Sequence, residues 1–140
     1  MLPKFHALIS FIFIIILKQI SSFDYFQLLV IFLAAIFIDF DHYLAFVLMK
    51  KNLSLKKAYN YYIKLIEKIN KGINVKCPLC IFHTIEFLIP FGILSYFNGF
   101  IFLIFCGFIF HLLVDIVHGL ITKTLKFRGL SVIMYVLKNG

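Results

Sequence analysis

Four long apolar runs dominate this sequence, at about 5–20, 26–49, 79–97 and 100–121. A helix needs about 20 apolar residues to cross the hydrocarbon core of a bilayer, and about 17 are tolerated. Hydrophobic residues fill 63% of the 140 positions, which is more than a soluble domain of this length can bury. The sequence therefore predicts one membrane domain over residues 1–140, and it excludes a soluble enzyme, a disordered linker and a disulfide scaffold. The first run lacks a convincing signal-peptide cleavage site, so we interpret it as retained.

Basic residues are concentrated in alternate connections between these runs. The 14 Lys and Arg residues outnumber six acids, for a net charge of +8. The connection between runs two and three and the C-terminal tail hold most of them, namely Lys50, Lys51, Lys56, Lys57, Lys64, Lys68, Lys71, Lys76, Lys123, Lys126, Arg128 and Lys138. The positive-inside rule then predicts a multi-pass cell-membrane protein with both termini cytoplasmic. This distribution favours a topology signal over nucleic-acid binding, and it leaves Lys18 as an exception that must reach an interface by snorkelling.

The long central connection has the pattern of an amphipathic helix over about 54–72. Apolar residues recur at alternating steps of four and three, at Leu55, Tyr59, Tyr62, Ile66, Ile69 and Ile73. Lysines occupy the other face, Ser54 can cap the start, and Gly72 lies near the end. We interpret this segment as a basic interfacial helix that contacts membrane lipid, with recruitment of a lipid substrate as the alternative.

Ionisable residues inside the apolar runs point to a functional site. A charged group in a bilayer costs at least about 2.5–3.5 kcal/mol on insertion scales. Nevertheless four of the six acids and all five histidines lie in the runs: His6, Asp39, Asp41, His42, His83, Glu86, His111, Asp115 and His118. In the predicted topology all nine fall in the cytoplasmic leaflet.

Helical spacing places many of these residues on common faces. His111, Asp115 and His118 follow an i, i+4, i+7 stripe, and Asp39 and His42 are three residues apart. The sequence also contains a weak internal repeat, because an early histidine followed by Asp-x-x-His occurs in both halves. The fold class that we predict is accordingly a four-transmembrane-helix bundle of two repeated hairpins, related by an axis along the membrane normal, with the basic helix in the central loop.

Histidines and carboxylates in this mixture favour a divalent metal site. The candidate ligands are His6, Asp39, Asp41, His42, His83, His111, Asp115 and His118. Asp41 has the least favourable geometry, because an ideal helix turns it about 200° away from Asp39. We expect one or two zinc ions, with manganese or iron as alternatives. Glu86 is the candidate catalytic general base, since it lies three residues after His83 and has no equivalent in the first half.

The same residues resemble a known family. An early His6, the Asp39-Phe40-Asp41-His42 segment, His83-Thr84 and His111-Leu112-Leu113-Val114-Asp115 are similar to the predicted membrane-bound metal-dependent hydrolases of the YdjM/YbcI type. The resemblance implies a hydrolase without naming its substrate. The chain departs from the usual pattern in lacking an Arg after His83 and in having His118 where a small or hydroxylated residue is expected.

The function predicted from the sequence is metal-dependent hydrolysis at the cytoplasmic face, of a phosphoester or a lipid-derived substrate, which is a small molecule or a lipid. The alternatives are a small metal-ion or proton transporter and a metal-stabilised structural protein. The pattern leaves the substrate and the oligomeric state open. The Cys77-Pro78-Leu79-Cys80 segment is interpreted as small residues at a helix start, and a redox pair or half of a zinc site with His83 are the alternatives.

Overall fold

The structure, a computed structural model, describes residues 3–73, 75, 77–125, 129 and 131–139. Every regular element in this part of the chain is helical. The α-helices are α1 (Pro3–Ile20), α2 (Tyr25–Phe37), α3 (Phe40–Lys50), α4 (Leu55–Asn70), α5 (Ile85–Phe97), α6 (Gly99–Ile121) and α7 (Val132–Asn139), with a 3₁₀ turn at Ile81–His83. Three of the basic residues used for the topology prediction, Lys76, Lys126 and Arg128, lie outside the described residues.

Side-chain caps fix where several helices begin. The Asp24 carboxylate accepts a hydrogen bond from the Gln27 amide at the start of α2, and the Gln27 side chain accepts one from the Asp24 amide. The Asn98 side chain accepts hydrogen bonds from the first amides of α6. The Ser54 hydroxyl caps α4 as the sequence indicates, and Gly72 follows that helix with φ +72°. Each cap satisfies amides that have no partner inside the helix.

The second apolar run is interrupted instead of forming one helix over 26–49. α2 ends at Phe37, Ile38 and Asp39 form a turn, and α3 begins at Phe40. The Asp39 amide bonds to the Ile36 carbonyl, and the Asp41 amide bonds to the Ile38 carbonyl. These bonds span three residues, so the chain tightens here and the rotation between Asp39 and Asp41 departs from that of a regular helix.

The third run becomes an α-helix later than the sequence suggests. Pro78 precedes an extended stretch and the 3₁₀ turn, so α5 begins at Ile85 instead of near 79. The Asp41 carboxylate accepts a hydrogen bond from the Phe82 amide at 2.9 Å. This tertiary contact with α3 holds an amide within the stretch that the apolar pattern alone assigns to a helix.

The centre of the bundle is the contact between α2 and α6, with α1 against both and α5 against α6. A Cβ added at Gly107 would lie 2.5 Å from the Ile31 carbonyl oxygen and 2.8 Å from the Ala34 Cβ, so only glycine permits this approach. Ala35 and Ile38 continue the buried face of this segment towards Asp39. The close packing therefore sets how α6 meets the turn at 38–39.

The outward surfaces of the bundle are apolar. Two helical stretches, Tyr25–Lys50 and Gly99–Ile121, are long and apolar enough to cross a membrane. Large apolar side chains are exposed on α1, α2, α5 and α6, among them Ile16, Leu29, Ile93 and Leu113. Several ionisable side chains are buried instead, which reverses the usual arrangement of a soluble domain.

Candidate metal centre

Polar side chains from four parts of the fold meet at one end of the bundle. His6 comes from the first turns of α1, Asp39 from the turn between α2 and α3, and His83 from the 3₁₀ turn before α5. His111 and Asp115 come from the second half of α6 and are 1% and 3% exposed. The structure thus brings together five residues that the sequence predicts as ligands and that lie up to 109 positions apart in the chain.

The first group in this cluster consists of His6, His111 and Asp115. Their ligand atoms all lie within 4.8 Å of one another. His6 Nε2 lies 3.1 Å from Asp115 Oδ1, and His111 Nε2 lies 3.8 Å from Asp115 Oδ2. The two imidazole rings stack with their centroids 4.1 Å apart, which fixes both ring planes.

The second group consists of Asp39, His42 and His83, whose ligand atoms also lie within 4.8 Å of one another. Asp39 Oδ1 lies 3.4 Å from His42 Nε2 and 3.8 Å from His83 Nε2. The same oxygen is 3.4 Å from His111 Nε2, so Asp39 connects the two groups. Although Asp39 precedes α3, its side chain makes no capping hydrogen bond and faces the imidazoles instead.

Hydrogen bonds fix the tautomers of two histidines in the cluster. His83 Nδ1 donates to Asp41 Oδ2 at 3.0 Å, and His111 Nδ1 donates to the Ala35 carbonyl at 2.7 Å. The Ala35 carbonyl can only accept, and Asp41 Oδ2 already accepts from the Phe82 amide, so we assign the hydrogen of each neutral ring to Nδ1 and its lone pair to Nε2. Neither Nε2 atom has a hydrogen-bond partner, although both are buried.

These unpartnered nitrogens fit a metal ion. A buried polar atom without a partner costs about 1–3 kcal/mol. Both Nε2 atoms face Asp39 Oδ1, and a cation between them would accept their lone pairs and balance the buried carboxylates. Ligating histidines in metal sites commonly donate their other nitrogen to a carboxylate or a carbonyl, as His83 and His111 do here. The cluster has the ligand types and the protonation pattern of a divalent metal site.

Asp41 has a different position from the other predicted ligands. It is 4% exposed, and its Oδ2 accepts hydrogen bonds from His83 Nδ1 and from the Phe82 amide. The helix break explains how Asp39 and Asp41 contact opposite nitrogens of the same His83 ring. Asp41 also belongs to a third group with His42 and Cys80, in which Cys80 Sγ lies 2.9 Å from His42 Nδ1.

Sequence reasoning missed the contacts that hold His42. The Tyr62 hydroxyl on α4 donates to the His42 carbonyl at 2.7 Å, and the two rings meet edge to face. Burial raises the pKa of Tyr62, so its hydroxyl stays protonated and keeps donating. In the sequence, the one indication that the Cys80 thiol belongs to the site is that Cys80 lies three residues before His83. In the structure the thiol contacts His42 instead.

Two predicted site residues lie outside the three groups. The Glu86 carboxylate accepts hydrogen bonds from the Ser131 hydroxyl at 2.5 Å and from the Val132 and Ile133 amides, so it caps the start of α7. This position gives no support to the predicted general-base role of Glu86. His118 lines a cavity of about 730 Å³ whose walls also include Asp39, His83 and Asp115.

Comparison with protein-family models, with curated proteins and with solved structures returned no match. The resemblance to the membrane-bound hydrolases therefore stays a prediction. In the residues that the structure describes, the fold is all-helical, with apolar outward surfaces and clusters of His, Asp and Cys side chains that could hold a metal ion.

Proposed function

We propose that this protein is a membrane-embedded metal-dependent hydrolase that acts on a phosphoester at the cytoplasmic face. The observation that carries the proposal is the pair of buried, unpartnered Nε2 atoms of His83 and His111, which face Asp39 Oδ1. Two ligand groups joined through Asp39 suit two divalent cations, and zinc matches their nitrogen and oxygen donors.

We further propose that the chain crosses the membrane four times, as two hairpins with both termini in the cytoplasm. The exposed apolar side chains on α1, α2, α5 and α6 support contact with lipid. α5 alone has 13 residues, and the preceding extended stretch and 3₁₀ turn would add to its depth. Irregular backbone at membrane depth is tolerated where protein covers it, and Asp41 binds the Phe82 amide in this stretch.

In this mechanism the residues of the chain hold the metal ions, orient the ligating histidines and protonate the leaving group. When bound, the cations would supply an activated water and neutralise phosphoryl oxygens. Asp41 and the Ala35 carbonyl orient His83 and His111 through their Nδ1 atoms. Such a water would attack phosphorus and release its proton to solvent, the bond to the alkoxy group would break, and the alkoxy group would leave as an alcohol after taking a proton from the chain. His118 lies on the cavity wall, and we propose it as the donor of that proton.

The test compares metal content and hydrolysis in purified protein held in lipid nanodiscs. Wild-type protein, Asp39→Asn and Asp115→Asn are loaded with zinc, manganese or iron and assayed on p-nitrophenyl phosphate and bis-p-nitrophenyl phosphate. Asp24→Asn is the matched control, because it makes the same chemical change at the exposed far end of α2, where asparagine also caps well. We expect metal and hydrolysis to fall in the first two variants and to stay unchanged in the control.

Two outcomes would contradict the proposal. Full metal content in Asp39→Asn and Asp115→Asn would show that these carboxylates are not ligands. A wild-type protein that binds metal in a fixed ratio and hydrolyses neither substrate would exclude phosphoester hydrolysis of this kind and favour transport or a structural metal, for which flux into proteoliposomes is the next measurement.

A further inference from the structure

The cavity at the proposed metal centre has two chemically different sides. Asp39, His83, Asp115 and His118 line one side. The other side is the apolar face of α4, represented by Leu55, Ala58, Tyr62, Ile63, Ile66 and Ile69. A volume of about 730 Å³ is in the range of cavities that enclose a whole small molecule, and it far exceeds the space needed for a phosphate group.

α4 is attached to the bundle as a fixed wall of this cavity. Ala58 is buried, the Tyr62 hydroxyl donates to the His42 carbonyl, and Tyr61 packs on Phe46 of α3. The apolar face therefore turns towards the site as well as towards the membrane surface. Apart from Tyr59, Tyr62 and Asn70, the α4 side chains on this wall carry no hydrogen-bonding group, and its leucine and isoleucine side chains can exclude water from an alkyl chain.

The charges around α4 favour an anionic ligand. Lys56, Lys57, Lys64 and Lys68 are exposed on this helix, and the chain has a net charge of +8. Such a field attracts anions to the mouth of the cavity without placing a positive group on its apolar wall. A phosphate group at the metal centre and an alkyl chain along α4 would satisfy both sides.

We infer that the ligand of this cavity is an amphiphilic phosphate ester, with its phosphate at the Asp39–Asp115 cluster and its alkyl chain against the inner face of α4. This inference rests on the proposed metal centre, and it specifies the substrate class of that centre.

The experiment measures binding of ethyl-, butyl-, hexyl- and octylphosphonate to zinc-loaded protein in nanodiscs by calorimetry. Their carbon–phosphorus bond resists hydrolysis, and empty nanodiscs correct for partition into lipid. Burial of a methylene group against α4 should raise the affinity about fourfold for each carbon added. Ile66→Asn and Ile69→Asn should flatten this dependence while leaving ethylphosphonate affinity unchanged. Lys64→Asn, the matched control on the outer face, should keep the wild-type dependence on chain length.

The outcomes separate this inference from the function on which it rests. Ethylphosphonate binding with no dependence on chain length would overturn the amphiphile inference and leave the metal centre standing. If affinity still rises with alkyl chain length in both isoleucine variants, α4 is excluded as the wall that contacts the alkyl chain. Absence of ethylphosphonate binding in protein that retains zinc would contradict the phosphoester function itself, and the inference with it. Melting temperature and metal content verify that each variant folds.

Discussion

At the scale of single residues, the site depends on which nitrogen of each imidazole carries the hydrogen and which is left to bind a metal. Asp41 and the Ala35 carbonyl accept hydrogen bonds from Nδ1 of His83 and His111, which leaves both Nε2 atoms facing Asp39. The sequence indicates the ligand types but not these partners. A backbone carbonyl such as that of Ala35 cannot be identified as a partner from the sequence. An ideal helix would turn Asp41 away from Asp39 and so away from the site.

Replacing Asp41 by alanine tests this positioning role. The variant loses the acceptor for His83 Nδ1 and for the Phe82 amide, so we expect metal affinity to fall about 10–100-fold. The metal content at saturation should stay at the wild-type value, because Asp41 holds a ligand and is not one itself. Titration with a chelator-buffered zinc series measures both quantities. A lower content at saturation would instead make Asp41 a direct ligand.

Glu86→Gln separates capping from catalysis. The Glu86 carboxylate accepts hydrogen bonds from Ser131, Val132 and Ile133, so loss of its charge should weaken the attachment of α7 and leave hydrolysis and metal content unchanged. Hydrogen exchange of 131–139 should increase relative to the wild type. Retained metal with hydrolysis reduced by about 10²–10⁴-fold would restore Glu86 as the general base.

At the scale of helices, the parts of the fold that can be predicted are those that nearby residues in the sequence determine. The cap at Ser54 and the stripe on α6 follow from nearby residues, and the lengths of the apolar runs and the periodicity of α4 indicate most of the helices. The turn at 38–39 and the late start of α5 do not, because tertiary contacts of Asp41 and His83 outweigh helix propensity there. α7 and its cap depend on Glu86, 45 residues away from Ser131.

The approach of α6 to α2 gives an element-scale prediction. Gly107→Ala places a Cβ 2.5 Å from the Ile31 carbonyl oxygen, so the helices must separate, at a cost of about 1–3 kcal/mol. We expect a lower melting temperature and weaker metal binding, since α6 carries His111 and Asp115 and α2 leads to Asp39. Gly99→Ala on the same helix is the matched control, because its added Cβ meets nothing within 4 Å. Equal stability of the two variants would contradict this packing account.

At the scale of the whole molecule, the polar cluster, the apolar outer surfaces and the basic connections form one arrangement. The outward side chains of α1, α2, α5 and α6 suit lipid, and the histidines and aspartates of the metal-binding groups are gathered at one end. The two halves are not identical in local structure, since α2 and α3 are broken where α6 is continuous, and His6 lies in a helix whereas His83 lies in a 3₁₀ turn. The internal repeat and the arrangement as two hairpins stay predictions.

Topology is the first prediction at this scale. Reporter fusions at Lys56, Lys68 and Lys138 should show a cytoplasmic location, and a fusion at Asn98 should show the opposite side, because the basic residues avoid that connection. If Asn98 lies on the same side as Lys56, the four-span arrangement is wrong, and the shared leaflet of the nine ionisable residues no longer follows.

X-ray absorption at the zinc edge of metal-loaded protein tests the metal centre most directly. We expect a first shell of nitrogen and oxygen at about 2.0–2.2 Å, with outer-shell scattering from imidazole rings. Asp39→Asn should lose this signal, and Asp24→Asn should keep it. A sulfur shell at about 2.3 Å would instead place the metal at the cysteines, and protein that retains no zinc would contradict the centre altogether.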